Sequence, residues 1–323
     1  MGMILPLLYL GVGFGLAMLL PEHWGNRLKE SASALLTRWI IPTVIVYIVA
    51  TSRPELFFMA ASTMVLMALL VRCAAFFTND PVQRLALVYL NAGIFGIPVV
   101  ASFWGEEAVR LYVGAYIGNS VMGNILGTSL MRRETNTDGL TTSRAKPTRK
   151  AVTRKAAVGA VLRSLLTNRP IIAVATGLIC LPVGPFLNTH AAGIYRLITW
   201  VFSFVGLMVL GMWLSTARLH RTDLTQALQW AVLRVVLVSV YSVGILTAAH
   251  WMHTHTGVHL EQLLAHPQVL FILGVLPPAA NIVILETHYR HEGTAAPIIA
   301  SGAVVSLGMI ALAVPILQLV FSN

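Results

Sequence analysis

Apolar runs long enough to cross a lipid hydrocarbon core follow one another along nearly the whole chain, and no other feature narrows its folding options so far. Ten can be marked, at 3–21, 33–52, 56–78, 84–103, 108–131, 164–187, 192–215, 228–251, 268–288 and 296–321. At helical rise, about 20 residues cover the roughly 30 Å of a bilayer core. In lipid every backbone N–H and C=O must find a partner inside the protein, which leaves helices or closed barrels. The runs are continuous rather than short alternating segments, so helices are expected. Composition agrees: 57% of the 323 residues are hydrophobic and 11% are charged, against about 25% charged in a soluble domain. The fold class expected is an all-α polytopic membrane protein with ten transmembrane helices. Met1–Leu20 lacks a basic n-region and reads as the first span rather than a cleavable signal.

The formal net charge is +10, but the basic residues are unevenly placed. Arg132, Arg133, Arg144, Lys146, Arg149, Lys150, Arg154, Lys155 and Arg163 crowd into one polar segment. No aromatic platform is interleaved there, so nucleic acid is not the expected partner. A cytoplasmic loop near anionic headgroups is. With 132–163 inside, only Arg53, Arg110 and Arg196 fall on the outer side, and both termini lie outside. The expected location is thus the cytoplasmic (inner) membrane, multi-pass. Arg234 sits near the cytoplasmic end of its span, where its long side chain is expected to snorkel.

The basic loop divides the chain into residues 1–131, the loop 132–163, and residues 164–323, with five spans in each flanking part. An odd number per half forces opposite orientations, the arithmetic of two inverted five-helix repeats. The fourth span of each half is interrupted. One carries Asn91-Ala92-Gly93-Ile94-Phe95-Gly96-Ile97-Pro98, the other Leu276-Pro277-Pro278-Ala279-Ala280-Asn281. Proline removes an amide donor and clashes with the preceding turn, and glycine loosens the backbone. Paired breaks at membrane depth point to a substrate site near the midplane. Helices restarting at Pro98 and just after Pro278 present free N–H groups and positive dipole ends, which suit a carboxylate. The two breaks can cross with these ends facing a shared centre. Asn91 and Asn281 lie beside the breaks, where each can meet substrate, cap broken backbone, or do both.

These residues resemble the auxin efflux carrier family of membrane transporters, which includes bacterial malonate and other organic-acid permeases and plant auxin exporters. The resemblance rests on Asn91 with Gly96-Ile97-Pro98, on Asn168-Arg169-Pro170 entering span six, on Leu276-Pro277 with Asn281, and on the 294–315 stretch ending Ala313-Val314-Pro315. It covers nearly the whole chain. It implies a bile acid/sodium symporter-like fold of two inverted repeats with crossed broken helices four and nine. Spans 1, 2, 6 and 7 would form a scaffold, and spans 3–5 and 8–10 a transport domain moving by an elevator mechanism. The substrate class implied is a small mono- or dicarboxylate such as malonate, or an auxin-like acid. One departure is Pro278-Ala279-Ala280, where the plant pattern has a short polar segment.

The substrate-binding candidates are therefore Asn91, Gly93, Gly96, Pro98, Asn119, Pro277, Pro278 and Asn281. Asn119, with Ser120 and Asn124, lies inside an apolar span and can line the site or hydrogen-bond between helices. Glu286, late in span nine beside His288, Arg290 and His291, is a proton-relay candidate or one half of an interfacial ion pair. His250, His253, His255, His259 and His266 gather near an outer loop without thiolate or carboxylate at metal-ligand spacing, so no metal site is expected. Cys73 and Cys180 sit in apolar runs and read as small buried hydrophobes. Gly11, Gly13 and Gly15 suit close helix packing. No nucleophile–base arrangement, P-loop or dinucleotide fingerprint appears, and an enzyme is not expected.

The reading is a secondary transporter for a small organic anion, with no cofactor beyond H+ or Na+ as coupling ion. Its partners would be the anion and the lipid bilayer, with a homodimer as one open assembly. The alternatives are a membrane-embedded metal-dependent enzyme using the outer histidines and a non-transporting membrane sensor.

Overall fold

A computed structural model describes residues 4–51, 55–138, 169–216, 221–257, 260–290 and 294–321. Most of the basic loop, together with Arg53, Pro54, Asn168, His259 and His291, lies outside the described residues. Everything described is helix or short connection, apart from one isolated β-bridge.

The first half opens with α1 (Ile4–Leu19) and α2 (Glu22–Ala50), the latter passing through a π turn at Leu36–Ile40. α3 (Glu55–Phe77) follows, then the short α4 (Pro81–Val88), capped by the Asp80 carboxylate on the Val82 N–H. After a break the chain resumes as a π turn, Ala92–Gly96, leading into the helix Ile97–Asp138. That helix is divided at Gly105 into α5 (97–104) and α6 (106–138). Gly105 has φ 78° and ψ −166°, a conformation that only glycine adopts freely, and it reverses the chain without a loop.

In the second half, α7 (Arg169–Ile179) bends by 59° into a short turn and α8 (Gly184–His190). α9 (Ala192–Thr216) and α10 (Arg221–His255) are long and unbroken. After α11 (Glu261–Ala265), α12 (Gln268–Phe271) runs into a 3-10 turn at Ile272–Val275 and breaks. The chain resumes as α13 (Asn281–Tyr289) and ends in α14 (Ala295–Phe321). Among the described residues five helices are long and apolar enough to cross a membrane, or six if the bent α7–α8 pair is one span.

The surface is inverted relative to a soluble protein. Leu19, Trp39, Val65, Phe76, Trp200, Val240, Leu312 and Leu319 face outward, while Arg234, Glu286, Glu55 and Asn119 are buried. Soluble monomers rarely expose so much contiguous apolar surface. This is the pattern of a multi-pass helical membrane protein.

Between helices that both face lipid, close backbone approach supplies the cohesion. α1 lies against α9, and α3 against α6. A Cβ on Gly13 would strike the Met208 backbone, and one on Gly211 the Leu10 carbonyl. Gly114 and Gly118, four residues apart on α6, sit on the carbonyls of Leu56 and Ala60. Of the expected glycine triplet only Gly13 makes such an approach; Gly11 and Gly15 meet nothing within 4 Å. A single methyl should therefore separate the two positions. Gly13→Ala is expected to destabilise the protein by roughly 1–3 kcal/mol through overpacking. Gly15→Ala should be neutral or stabilise by up to about 1 kcal/mol through helix propensity. Thermal unfolding of both variants in detergent checks this, and equal melting temperatures would contradict it.

Candidate functional site

The two breaks meet and pair. Tyr89 and Leu276 leave their half-helices in extended conformation, and Leu90 and Pro278 face each other as an antiparallel bridge. The Asn91 N–H donates to the Pro277 carbonyl (2.8 Å) and the Ala279 N–H to the Tyr89 carbonyl (2.8 Å). These bonds flank the Leu90–Pro278 pair, so Pro278 sits where the ladder asks no N–H of it. Pro277 also donates nothing, which leaves the Asn91 carbonyl free to accept from Gly96 N–H (3.1 Å) and start the next helix.

Leu90's own N–H and C=O point to the other side, and one side chain takes both. Asn119 on α6 accepts from Leu90 N–H (3.0 Å) and donates to Leu90 C=O (2.8 Å). It is 1% exposed. An amide carries both a donor and an acceptor and so imitates a neighbouring strand. Tyr112 adds a hydroxyl donor to the Ala92 carbonyl (3.1 Å). On the far side Arg234 of α10 donates from Nε to the Gly274 carbonyl (3.0 Å) and from Nη1 towards the Ala86 carbonyl (3.4 Å). Arg234 is 2% exposed. It turns inward to these carbonyls instead of snorkelling to the interface, because the broken helices leave acceptors there that nothing else fills.

Beside the bridge lies a cavity of about 260 Å³. Its floor is Tyr89–Ile94 and Ala279–Asn281, and α6 supplies Tyr116, Asn119, Ser120 and Asn124. α2 contributes Thr37 and Ile41, and α7 contributes Arg169 and Pro170. Both resumed helices open onto it. The amides of Ala92 to Phe95 precede the first ladder bond of one, and those of Ala280 and Asn281 precede the Ile282 N–H to Ala279 carbonyl bond of the other. Such amides have no intrahelical acceptor. The Asn91 side chain makes no capping bond, so its amide stays uncommitted at the cavity wall. Asn281 donates to the Tyr89 hydroxyl (3.0 Å), and Gly123 makes room for the Tyr89 ring.

Among the residues expected from sequence, Asn91, Gly93, Asn119 and Asn281 are thus brought together around the cavity. Gly96, Pro98, Pro277 and Pro278 do not line it. The first helix resumes at Ala92 rather than at Pro98, because the Gly96–Asn91 bond starts it earlier. Pro98 lies in a later turn, with its ring against Gly206 of α9. A Cβ on Gly96 would meet the Tyr112 hydroxyl and Leu276, so this glycine lets the crossing close. Pro277 and Pro278 shape the bridge. Glu286 is not exposed, and among the described residues it has no ion pair. It is fully buried, and its carboxylate accepts from Thr294 N–H (2.9 Å), the Thr294 hydroxyl and Ala295 N–H (2.9 Å), which caps α14. Arg290 pairs instead with Asp80 (3.0 Å) and ties the end of α13 to the start of α4.

Tyr89, Tyr116, Thr37 and Arg169 also line the cavity, although nothing in the sequence pattern assigns the first three to it. Only Arg169 carries a signal, as part of the motif entering span six. Among the described residues no three His, Cys, Asp or Glu side chains converge as a metal site. His255 stacks on Trp251 with ring centroids 5.4 Å apart.

A second polar cluster lies at the other end of α2 and α6, beside a cavity of about 200 Å³ lined by Thr51, Glu55, Glu107, Arg110, Asn188 and Gln262. Arg110 of α6 donates to Thr51 (3.0 Å) and Glu106 (3.0 Å), and its guanidinium lies 5.5 Å from the rings of both Tyr47 and Tyr195. Those rings stack at 4.1 Å. Thr37 at the cavity lies on α2 and Thr51 here is that helix's C-cap, about 20 Å further along at helical rise.

No family model matches the chain, and a search of curated proteins returned no match.

The Asn119 geometry carries its own test. Asn119→Leu leaves a buried N–H and a buried C=O unpaired, at about 1–3 kcal/mol each. Asn119→Asp removes the donor and adds a charge. Both variants should melt well below wild type, whereas Asn124→Ala, whose side chain donates to the Ser120 carbonyl on its own helix and lies by the Tyr89 hydroxyl, should fall much less, because no backbone group of the bridge depends on it. Equal melting for Asn119→Leu and Asn124→Ala would show that Asn119 does not clamp the crossing.

Proposed function

We propose that this protein is a secondary transporter that carries a small organic anion, a mono- or dicarboxylate, across the membrane by alternating access. The observation that carries the reading is the convergence of two half-helix N-termini, with an uncommitted Asn91 amide, on one cavity at the crossing. Unpaired N–H groups at a positive dipole end favour an anion. Paired discontinuous helices are the common architecture for holding one in a carrier. Arg169 at the cavity wall adds a cation on the approach.

The finer organisation belongs to the same proposal. The ten apolar runs marked in the sequence fall five and five around the basic loop, and the bridge joins the fourth of each half, which supports two inverted repeats. α1 against α9 and α2 against α7 would make the scaffold; α3–α6 and α10–α14 would make the transport domain. The cavity draws residues from both bodies, as an elevator requires. The resemblance to the auxin efflux carriers fits this arrangement. With the loop at 132–163 inside, the crossing's cavity would lie on the inner side, and Arg110 with Tyr47 and Tyr195 would stand between it and a second cavity of about 200 Å³ on the outer side. The metal-enzyme alternative draws no support from the described histidines, and a sensor would need no second exit.

Uptake of labelled malonate and a panel of other carboxylates into proteoliposomes tests the proposal. Saturable uptake is expected, and Asn91→Ala/Asn281→Ala should weaken it by about 10- to 100-fold or more, the worth of a lost hydrogen bond to a charged ligand. Folded protein that moves no carboxylate in the panel would overturn the carrier reading in favour of a sensor.

A further inference from the structure

The crossing has a second pole, on the side away from the cavity. In an unbroken α-helix the Ala86 carbonyl would accept from the N–H of residue 90, and the Gly274 carbonyl from that of residue 278. Leu90 has given its N–H to Asn119, and Pro278 has none. Each break therefore orphans the carbonyl four residues before the bridge, at the negative end of its half-helix. These two carbonyls, from opposite halves of the chain, are the ones Arg234 holds. Among the described residues no carboxylate pairs with it. The cavity left beside it, bounded by Trp230, Pro278 and Gly302, is about 10 Å³, the least that one water needs. No hydrated ion fits there alongside the guanidinium.

In broken-helix carriers, half-helix C-terminal ends and unwound carbonyls are where a mobile coupling cation binds. We propose that Arg234 is a resident cation that permanently fills this position. The negative pole of the crossing is then neutralised by a tethered side chain rather than by an ion drawn from solution. Removing the side chain opens a carbonyl-lined site selective for a guanidinium-like cation. For its transport consequence this inference rests on the carrier reading: flux does not depend on sodium. The site itself does not rest on that reading.

Purified wild type, Arg234→Ala, Arg234→Met and Arg234→Lys are melted in detergent with low-millimolar guanidinium, sodium or choline chloride. The expected result is a lowered melting temperature for Arg234→Ala that guanidinium raises and choline does not, with wild type unmoved by either. Arg234→Lys should lie nearer wild type than Arg234→Met, since a packing role would rank them the other way. An Arg234→Met protein as stable as wild type would overturn the proposal, as would an Arg234→Ala protein indifferent to guanidinium. If neither of these variants can be purified, Arg234→Lys decides: folded protein upholds the resident cation and its loss overturns it. In proteoliposomes wild-type flux should be unchanged when choline replaces sodium, and a sodium requirement would contradict the assignment. The melting series uses no transport, so a failed carrier reading appears separately, as absent flux in wild type.

Discussion

Two hydrogen bonds between broken helices, Asn91 to Pro277 and Ala279 to Tyr89, set the terms for everything around them. A break in a spanning helix strips several backbone groups of their partners where no water replaces them, at several kcal/mol for each group left bare. Either break alone would be hard to sustain. Set antiparallel, each supplies acceptors for the other's donors, and the remainder falls to named side chains. Asn119 takes both groups of Leu90 and Arg234 takes two orphaned carbonyls. What remains, among the described residues, is the set of N-terminal amides, and most of them belong to residues that line the cavity. The proposed binding surface is in this sense the part of the backbone that the crossing leaves unsatisfied.

Helix ends also govern how charges are tolerated in the interior. Burying an unpaired ion costs several kcal/mol even after relaxation. Arg234 and Glu286 are both buried, and neither meets an opposite charge among the described residues. Arg234 sits at two helix C-terminal ends, and Glu286 on the first amides of α14. Hydrogen bonds to a charged group are worth about 1.5–3 kcal/mol each, and a helix end adds up to about 2 kcal/mol in a partly buried geometry. Two or three such bonds with a dipole bring the balance near zero. Helix ends thus replace counter-ions, and a crossed pair of broken helices has ends to spare.

The positions of the breaks were legible because proline and glycine inside an apolar run rarely serve any purpose but to interrupt or loosen the helix. Which amides would be exposed was less so. Pro98 looks like a helix start, but proline is tolerated near the beginning of a helix, and the Gly96–Asn91 bond moves the start back to Ala92. The roles of Asn119, Arg234 and Glu286 were not legible from periodicity, which tells which face of a helix is apolar and not what a polar residue on it will meet. Glu286 beside His288 and Arg290 looks like an ion pair in one dimension. In three, Arg290 reaches Asp80 across the fold and leaves the carboxylate to cap a helix. Thr37 and Tyr116 could not have been found at all, since their place at the cavity depends on how α2 and α6 pack.

The division of labour between poles bears on how the proposed carrier could move. The cavity wall is shared between α2 and α7 on one side and the two breaks, α6 and the start of α13 on the other, whereas Asn119, the bridge and Arg234 on α10 all belong to the proposed transport domain. A displacement of that domain against the other would keep every hydrogen bond of the crossing and change only the contacts at the boundary, those lining the cavity among them. The glycine approaches point the same way. Gly13 and Gly211 lock α1 to α9, and Gly114 and Gly118 lock α3 to α6, each pair within one proposed body. Across the boundary the contacts are of another kind: Arg110 against the stacked rings of Tyr47 and Tyr195, and the Pro98 ring against Gly206. A guanidinium on aromatic faces can slide at modest cost, because its attraction to the ring is broad and worth about 0.5–2 kcal/mol. A protein that must shift two bodies while holding an anion at their boundary needs backbone bonds inside each body and side-chain contacts between them, and this chain distributes its interactions in that way.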